Sequence, residues 1–241
     1  MAKGDVGRSN HLIANFNVTN TTYGFYLNSS SYNNLSANTA TNITHGFYLE
    51  GSSTNNKILN NIALNSTSGG YNWTANCINN DFTGSVAVNY LLVKVTNSLG
   101  SPINGADVEV VTDGTVIYKT PHFNGKDNKT DPNGVTSWIA VTYITGTGID
   151  TMTINTTTVT VYYSWFIILD NSRIVDMSSS HVETFSVYRA ACTASHLVAG
   201  WNTRRWQYPC LRCYKCYCYR RCSGCCVFTP LLPLAKVLKR G

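Results

Sequence analysis

The chain has 241 residues, only 12% of them charged, and its formal net charge of +6 is unevenly distributed. Residues 1–188 hold 8 Lys/Arg against all 12 Asp/Glu, whereas residues 189–241 hold 10 Lys/Arg, no acid and eight of the nine cysteines. The confinement of the positive charge to the tail excludes a nucleic-acid binder that is basic throughout. A disulfide framework in residues 1–188 is also excluded, because their only cysteine is Cys77. No run approaches the roughly 20 apolar residues that a membrane helix needs.

Composition divides the chain into three regions. Asn, Ser and Thr fill 39 of the first 90 positions, a Val/Thr/Ile-rich region with Gly and Pro turns follows, and an Arg-, Cys- and Tyr-rich tail ends the chain. We therefore expect domains at 1–88, 89–188 and 189–241.

The first region is a repeat. Residues 20–27 (NTTYGFYL) recur as 42–49 (NITHGFYL), a period of 22, and a degenerate third copy covers 65–71. A second element, typified by NNLSAN at 33–38, starts at 10, 33, 55 and 75. A fixed period of this length is typical of a solenoid.

Alternation within the repeat predicts strands, because the Phe and Leu of each copy share one face and the dense Asn, Ser and Gly suit turns. Each coil should then stack like residues on those of the coil before, and asparagine amides should hydrogen-bond along a corner column. The predicted stacks are Phe25 on Phe47; Leu27 on Leu49; Leu12, Leu35 and Ile58, with Ile78; and Asn15, Asn38 and Asn60, with Asn80.

These units, of the type Asn-Asn-x-Ile/Leu-x-Asn followed by Tyr-Gly-Phe-Tyr-Leu, resemble the right-handed parallel β-helix repeats of archaeal and bacterial surface proteins known as NosD-like or CASH-type domains. The resemblance covers residues 9–83, about three and a half coils. It implies the end or remnant of a longer β-helix, a cell-surface or secreted location, and a glycan partner.

The second region predicts short strands separated by turns, as in a β-sandwich. Residues 95–110 and 130–136 resemble bacterial Ig-like and carboxypeptidase-regulatory-like domains, which implies a spacer or adhesive unit. The predicted fold is all-β: a short β-helix, an Ig-like sandwich and an irregular Cys-rich tail. The predicted strands are 91–96, 107–112, 115–119, 135–142, 152–161, 163–169 and 183–187.

The tail has two competing interpretations. Strand periodicity ends and acids vanish, which favours a disordered segment or translation in a non-native frame. Alternatively, two Cys-x-x-Cys pairs hold a zinc ion and give the tail a regulatory role, because that gap lets both thiolates reach one tetrahedral ion. The candidate zinc ligands are Cys210, Cys213, Cys222 and Cys225. Apart from this zinc, we expect no cofactor.

Candidate chemistry in the repeat is sparse. Its acids, Asp5, Glu50 and Asp81, sit at different offsets and should not converge as a glycosidase pair does, so we name no catalytic residue. Tyr26 and Tyr48 occupy equivalent outward positions and could form an aromatic stripe for sugars. The alternative is that tyrosine merely suits an exposed strand.

We therefore expect a non-catalytic cell-surface or secreted protein with a binding or display role toward a polysaccharide or cell-envelope glycan, and no specific nucleic-acid partner. The main alternative is the remnant of a carbohydrate-active β-helix enzyme whose catalytic coils are missing. Nine Asn-x-Ser/Thr sequons agree with an exported protein that carries glycans. They begin at Asn17, Asn20, Asn28, Asn34, Asn42, Asn65, Asn72, Asn128 and Asn155.

Overall fold

The computed structural model describes residues 10–164, 166–168 and 171–189. Two compact units divide the chain, residues 1–189 and 190–241, and the described residues all belong to the first. They form strands with one short 3-10 helix, Pro121–Phe123, so the predicted all-β class is confirmed. No helix among them is long and apolar enough to cross a membrane.

The amino-terminal region is a solenoid of about three turns, as predicted. Each turn contributes one short strand to each of three parallel sheets. The first sheet contains β1 (Leu12–Ala14), β4 (Asn34–Ser36) and β7 (Lys57–Leu59). The second begins with β2 (Asn17–Thr19), β5 (Thr39–Ile43) and β8 (Ile62–Ser66). The third contains β3 (Tyr23–Asn28), β6 (His45–Glu50) and β9 (Tyr71–Trp73).

Like residues stack along the solenoid interior. The rings of Phe25 and Phe47 lie 4.8 Å apart and nearly parallel, and Tyr71 continues the column 4.9 Å from Phe47. Leu27 pairs with Leu49, and Leu35 pairs with Ile58. Because these side chains are buried, each coil supplies the apolar surface that covers the next.

A glycine before each core aromatic residue lets neighbouring coils approach. A Cβ atom built on Gly46 would lie 2.3 Å from the Gly70 carbonyl oxygen and 2.6 Å from the Ala63 methyl group. Gly24 is equally crowded by the Gly46 carbonyl oxygen and by Ala40. The recurring Tyr/His-Gly-Phe therefore reflects steric packing between coils.

Two columns of buried amides replace the single predicted asparagine column. Asn38 donates its side-chain amide to Asn61 Oδ1 at 3.0 Å. Asn33 donates to Asn56 Oδ1 at 3.0 Å, and Asn56 donates to Asn80 Oδ1 at 2.9 Å. Each of these Oδ1 atoms also accepts a backbone N–H from the coil before, so the columns satisfy buried polar groups between coils.

The predicted grouping of Asn15, Asn38, Asn60 and Asn80 was wrong. Asn15 and Asn60 are exposed and share a corner column with Ala37, where every φ is positive. Along the first sheet, position 12 pairs with 34, position 34 with 57 and position 57 with 81, so each step is one residue longer than the step before. Because the coil length varies, an alignment of the coils by their sequence motifs is displaced by one residue from the register in the structure.

The same displacement affects Leu12. Ile13, not Leu12, pairs with Leu35, and Leu12 is exposed. Ile78 is also exposed, and the column below Ile58 is continued by the loop around Asp81.

The second sheet continues beyond the solenoid through one long strand, β10 (Val86–Asn97). Its first residues, 86–88, pair in parallel with β8, and residues 91–97 pair in parallel with β18 (His181–Arg189). Its other edge pairs antiparallel with β13 (Ile139–Gly148). The two regions therefore share a continuous sheet.

A four-stranded antiparallel sheet completes the second region. Its strands are β11 (Asp107–Thr112), β12 (Thr115–Lys119), β15 (Thr157–Tyr162) and β17 (Ser172–Val175). The remaining strands are β14 (Thr151–Ile154) and β16 (Phe166–Ile168). Alternating valines of β10, β11 and β15, with Phe185 of β18, are fully buried and form the core.

Most strand predictions in this region match a strand of the structure, with four differences. Within the described residues, the predicted strand 163–169 is present only at Phe166–Ile168. The predicted strand 135–142 begins only at Ile139. The predicted strand 152–161 is divided at Asn155, whose amide donates to the Thr142 carbonyl and holds the corner. Strand β17 was not predicted, since its short SRIV segment has little alternation.

Candidate ligand-binding surface

The outer side of the third sheet carries an aromatic cluster. Tyr26 and Tyr48 pair across β3 and β6, and Tyr23 pairs with His45. Gly24 and Phe25 are both buried, so the in-out alternation slips by one residue and brings Tyr23 onto the same face as Tyr26. We call the four residues Tyr23, Tyr26, His45 and Tyr48 the aromatic face.

The rings of the aromatic face contact one another closely. Tyr26 and Tyr48 stack with centroids 5.9 Å apart, and Tyr23 stacks on His45 at 5.3 Å. Tyr23 also lies 5.1 Å from Tyr26 and 5.5 Å from Tyr48. Stacking along the solenoid covers one face of each ring, so a ligand would meet ring edges and hydroxyl groups.

A carboxylate lies at one side of this cluster. The Tyr26 hydroxyl donates to Glu50 Oε1, and this hydrogen bond, with lesser contributions from desolvation and the Glu50 charge, raises the pKa of Tyr26 to about 12. Tyr26 therefore stays a neutral phenol at physiological pH. The second Glu50 oxygen can accept a hydrogen bond from a hydroxyl-rich ligand.

The cluster ends after two coils, because the third coil has an amide where the others have tyrosine. Asn72 pairs with Tyr48 in the sheet register, and its Nδ2 lies 3.3 Å from His45 Nδ1. The same amide contacts the Ser68 and Gly69 carbonyl oxygens, each at 3.3 Å. The surface thus combines aromatic rings with an amide and a carboxylate, groups that bind carbohydrates through apolar contact and hydrogen bonds.

Sequence reasoning proposed Tyr26 and Tyr48 and missed the other members of the surface. Tyr23 and His45 flank the core motif, but their outward direction depends on the slip at Gly24 and Gly46. Glu50 was considered only as one acid of a possible glycosidase pair. The signal that could have found them is the repeat itself, since Tyr23 and His45 occupy the same position in successive copies.

The other candidates of the repeat lie elsewhere. Asp81 forms a backbone β-bridge with Lys57 beside the first sheet, on a different sheet from Glu50, and Asp5 lies outside the described residues. Cys77 is buried. The structure brings no three His, Cys, Asp or Glu side chains together as a metal site within residues 10–164, 166–168 and 171–189. The proposed zinc ligands Cys210, Cys213, Cys222 and Cys225 lie outside the described residues.

No protein-family model, curated protein or solved structure matches this chain. The geometry of the surface and the repeat pattern therefore carry the functional argument.

Proposed function

We propose that this chain is a non-catalytic binding or display module of a secreted or cell-surface protein, and that its aromatic face binds a polysaccharide. The observation that supports this most is the cluster of Tyr23, Tyr26, His45 and Tyr48 with a carboxylate and an amide at its sides. Tyrosines supply apolar contact at low entropic cost, while their hydroxyls hydrogen-bond to sugars.

The solenoid supports the resemblance to NosD-like and CASH-type β-helix repeats at the level of architecture. The antiparallel sheet of β11, β12, β15 and β17, packed beside β10 and β13, supports an Ig-like or carboxypeptidase-regulatory-like second module. Both resemblances favour a surface protein in which the β-helix binds and the second module acts as a spacer.

The register of the coils favours an extended ligand over a compact one. Tyr26 and Tyr48 lie in adjacent parallel strands with ring centroids 5.9 Å apart, so two neighbouring coils offer equivalent groups along the solenoid axis. A polysaccharide lying along this axis would meet the same chemistry at two neighbouring sugar units.

Affinity electrophoresis through gels containing single soluble polysaccharides tests the proposal. We use a β-1,4-glucan, an α-mannan, a β-galactan and a polygalacturonate, under reducing conditions because of the tail cysteines. The intact chain should be retarded by at least one polymer, and the double variant Tyr26→Ala/Tyr48→Ala should bind about tenfold more weakly or worse, a loss of about 1.4 kcal/mol.

Tyr32→Ala is the matched control, because Tyr32 is an exposed tyrosine of the solenoid outside the aromatic face. It should bind like the parent chain. Failure of every polymer to retard the parent, or equal retardation of the double variant, contradicts the proposal.

A further inference from the structure

A second surface with ligand-binding chemistry lies on the outer side of the second sheet, where β10 extends past the solenoid. Asn89, Leu91 and Val93 point inward and are buried, so the alternating residues Tyr90 and Leu92 face outward. This surface shares no residue with the aromatic face, which belongs to the third sheet.

Flanking strands extend this outward surface. Val182 of β18 pairs with Leu92 and is 48% exposed. On the opposite edge, Trp138 comes immediately before β13 and is 55% exposed, although burying an indole is strongly favourable. We call Tyr90, Leu92, Trp138 and Val182 the Trp138 platform.

A hollow of about 290 Å³ lies at one end of the platform, lined by Asn65, Tyr90, Trp138 and Ser180. Tyr90 pairs with Ala140 across the strands, and a methyl group is too small to cover the tyrosine ring on that side. The hollow is thus bounded by an indole and a phenol ring, with an amide and a hydroxyl group beside them.

The polar groups of the hollow are held in place. The Tyr90 backbone N–H donates to Ser180 Oγ at 2.8 Å, and Ser180 Oγ donates to Asn65 Oδ1 at 2.7 Å. Asn65 Nδ2 in turn donates to Asn42 Oδ1 at 2.8 Å. Preorganised groups of this kind lose little conformational entropy when a ligand binds.

This network leaves hydrogen-bonding capacity for a ligand. An amide nitrogen carries two N–H groups, and the hydrogen bond from Asn65 Nδ2 to Asn42 uses only one of them. The Asn65 Oδ1 and Ser180 Oγ atoms each keep a lone pair that can accept a further hydrogen bond. The site therefore offers both a donor and acceptors, as a sugar hydroxyl requires.

The structure assigns to this hollow a binding site for one ring of a neutral sugar, with Trp138 as the stacking residue and Asn65 and Ser180 as hydrogen-bonding residues. None of the four lining side chains carries a charge, so the chemistry selects a neutral ligand over an anionic one. The volume of about 290 Å³ is at the lower end of the roughly 300–1,000 Å³ of small-molecule pockets, which suits one ring rather than a longer chain.

Tryptophan fluorescence of the intact chain tests the site. Neutral methyl glycosides of glucose, mannose and galactose are titrated separately, with methyl galacturonate as the anionic comparison. At least one neutral glycoside should change the emission, and methyl galacturonate should bind more weakly by about tenfold or more. In Trp138→Phe the ligand-induced change should disappear while the other four tryptophans remain.

Affinities of further variants come from calorimetry, which does not depend on the indole signal. Trp138→Ala should bind about tenfold more weakly or worse, and Trp138→Phe should lose less because it keeps an aromatic ring. Leu99→Ala is the control, since Leu99 is 88% exposed on a turn. Thermal unfolding should be unchanged in all three variants.

Two results overturn this site: no heat or emission change with any neutral glycoside, or unchanged affinity in Trp138→Ala. Tyr26→Ala/Tyr48→Ala separates this site from the aromatic face. If that variant loses the glycoside while Trp138→Ala keeps it, the Trp138 site fails and the proposed function stands.

Discussion

The two regions of the described unit are both built from strands but are stabilised in different ways. In the solenoid, each residue contacts an equivalent residue one coil away, and buried asparagine amides run through the interior beside the apolar columns. In the second region, alternating valines from distant strands form an apolar core between two sheets. Repetition therefore allows a polar interior, because the amides of the two columns find their partners in a neighbouring coil.

The largest effect should come from breaking the aromatic column of the solenoid. Phe47 is fully buried between Phe25 and Tyr71, so Phe47→Ala should lower the free energy of unfolding by about 3–5 kcal/mol. Denaturant unfolding measures the loss. In Phe47→Ala, the protection of backbone amides from hydrogen exchange should fall more in β3, β6 and β9 than in β11 and β15. An equal loss of protection in the two regions would contradict the comparison.

Removing one amide of the polar columns should have the next largest effect. Asn56→Ala leaves the Asn33 backbone N–H and the Ser30 carbonyl buried without their partner, at about 1–3 kcal/mol for each group. The control is Asn15→Gly, because Asn15 is exposed with a φ of 60° that glycine adopts readily. Equal unfolding free energies for the two variants would show that the buried column contributes nothing.

A buried carboxylate in the second region gives its stability a pH dependence. Asp107 accepts hydrogen bonds from the Thr120 hydroxyl and the His122 backbone N–H and lies 2.9 Å from Lys129 Nζ. Burial alone would raise the pKa of Asp107, but Lys129 and these hydrogen bonds outweigh it, so the pKa is lowered.

A pKa lowered by folding adds stability above the unfolded value of about 3.9, and this stability is lost as the pH falls through the lower folded value. The unfolding free energy of the parent should therefore fall more between pH 7 and pH 3 than that of Asp107→Asn. Glu109→Gln, which removes a partly exposed ion pair with Lys119, is the matched control for the loss of one carboxylate from the same strand. Identical curves for the parent and Asp107→Asn would refute this assignment.

The smallest effect on stability should come from the aromatic face. Glu50→Gln should leave unfolding unchanged but bring the pKa of Tyr26 down from about 12 toward its ordinary value, because the carboxylate that accepts the hydrogen bond of the phenol is lost. Nuclear magnetic resonance titration with isotope-labelled tyrosine measures this, with Tyr32 as the internal reference. An unmoved Tyr26 titration would contradict the contact.

The repeat allowed the solenoid and its apolar columns to be predicted from sequence, since Phe25 and Phe47 carry the same flanking residues at one period. The amide columns could not be aligned by counting, because the step from coil to coil lengthens along the first sheet and is set by how the corners pack. Because several asparagines are adjacent in the sequence, the pattern does not show which of them points into the solenoid.

The candidate surfaces were less predictable for the same reason. Tyr23 reaches the aromatic face only because the alternation slips at Gly24, and that slip follows from contact with the next coil. Trp138 gave no signal at all, since its neighbours Tyr90, Ser180 and Asn65 come from three distant segments of the chain. Local patterns predict which face of a strand is apolar, but they do not show which segments meet there.

Through-space nuclear Overhauser contacts between labelled aromatic rings would test the stacked-coil arrangement most directly. We expect cross-peaks between Phe25 and Phe47 and between Phe47 and Tyr71, whose ring centroids lie 4.8 and 4.9 Å apart. A folded chain without cross-peaks between these rings would contradict the solenoid and the surfaces built on it.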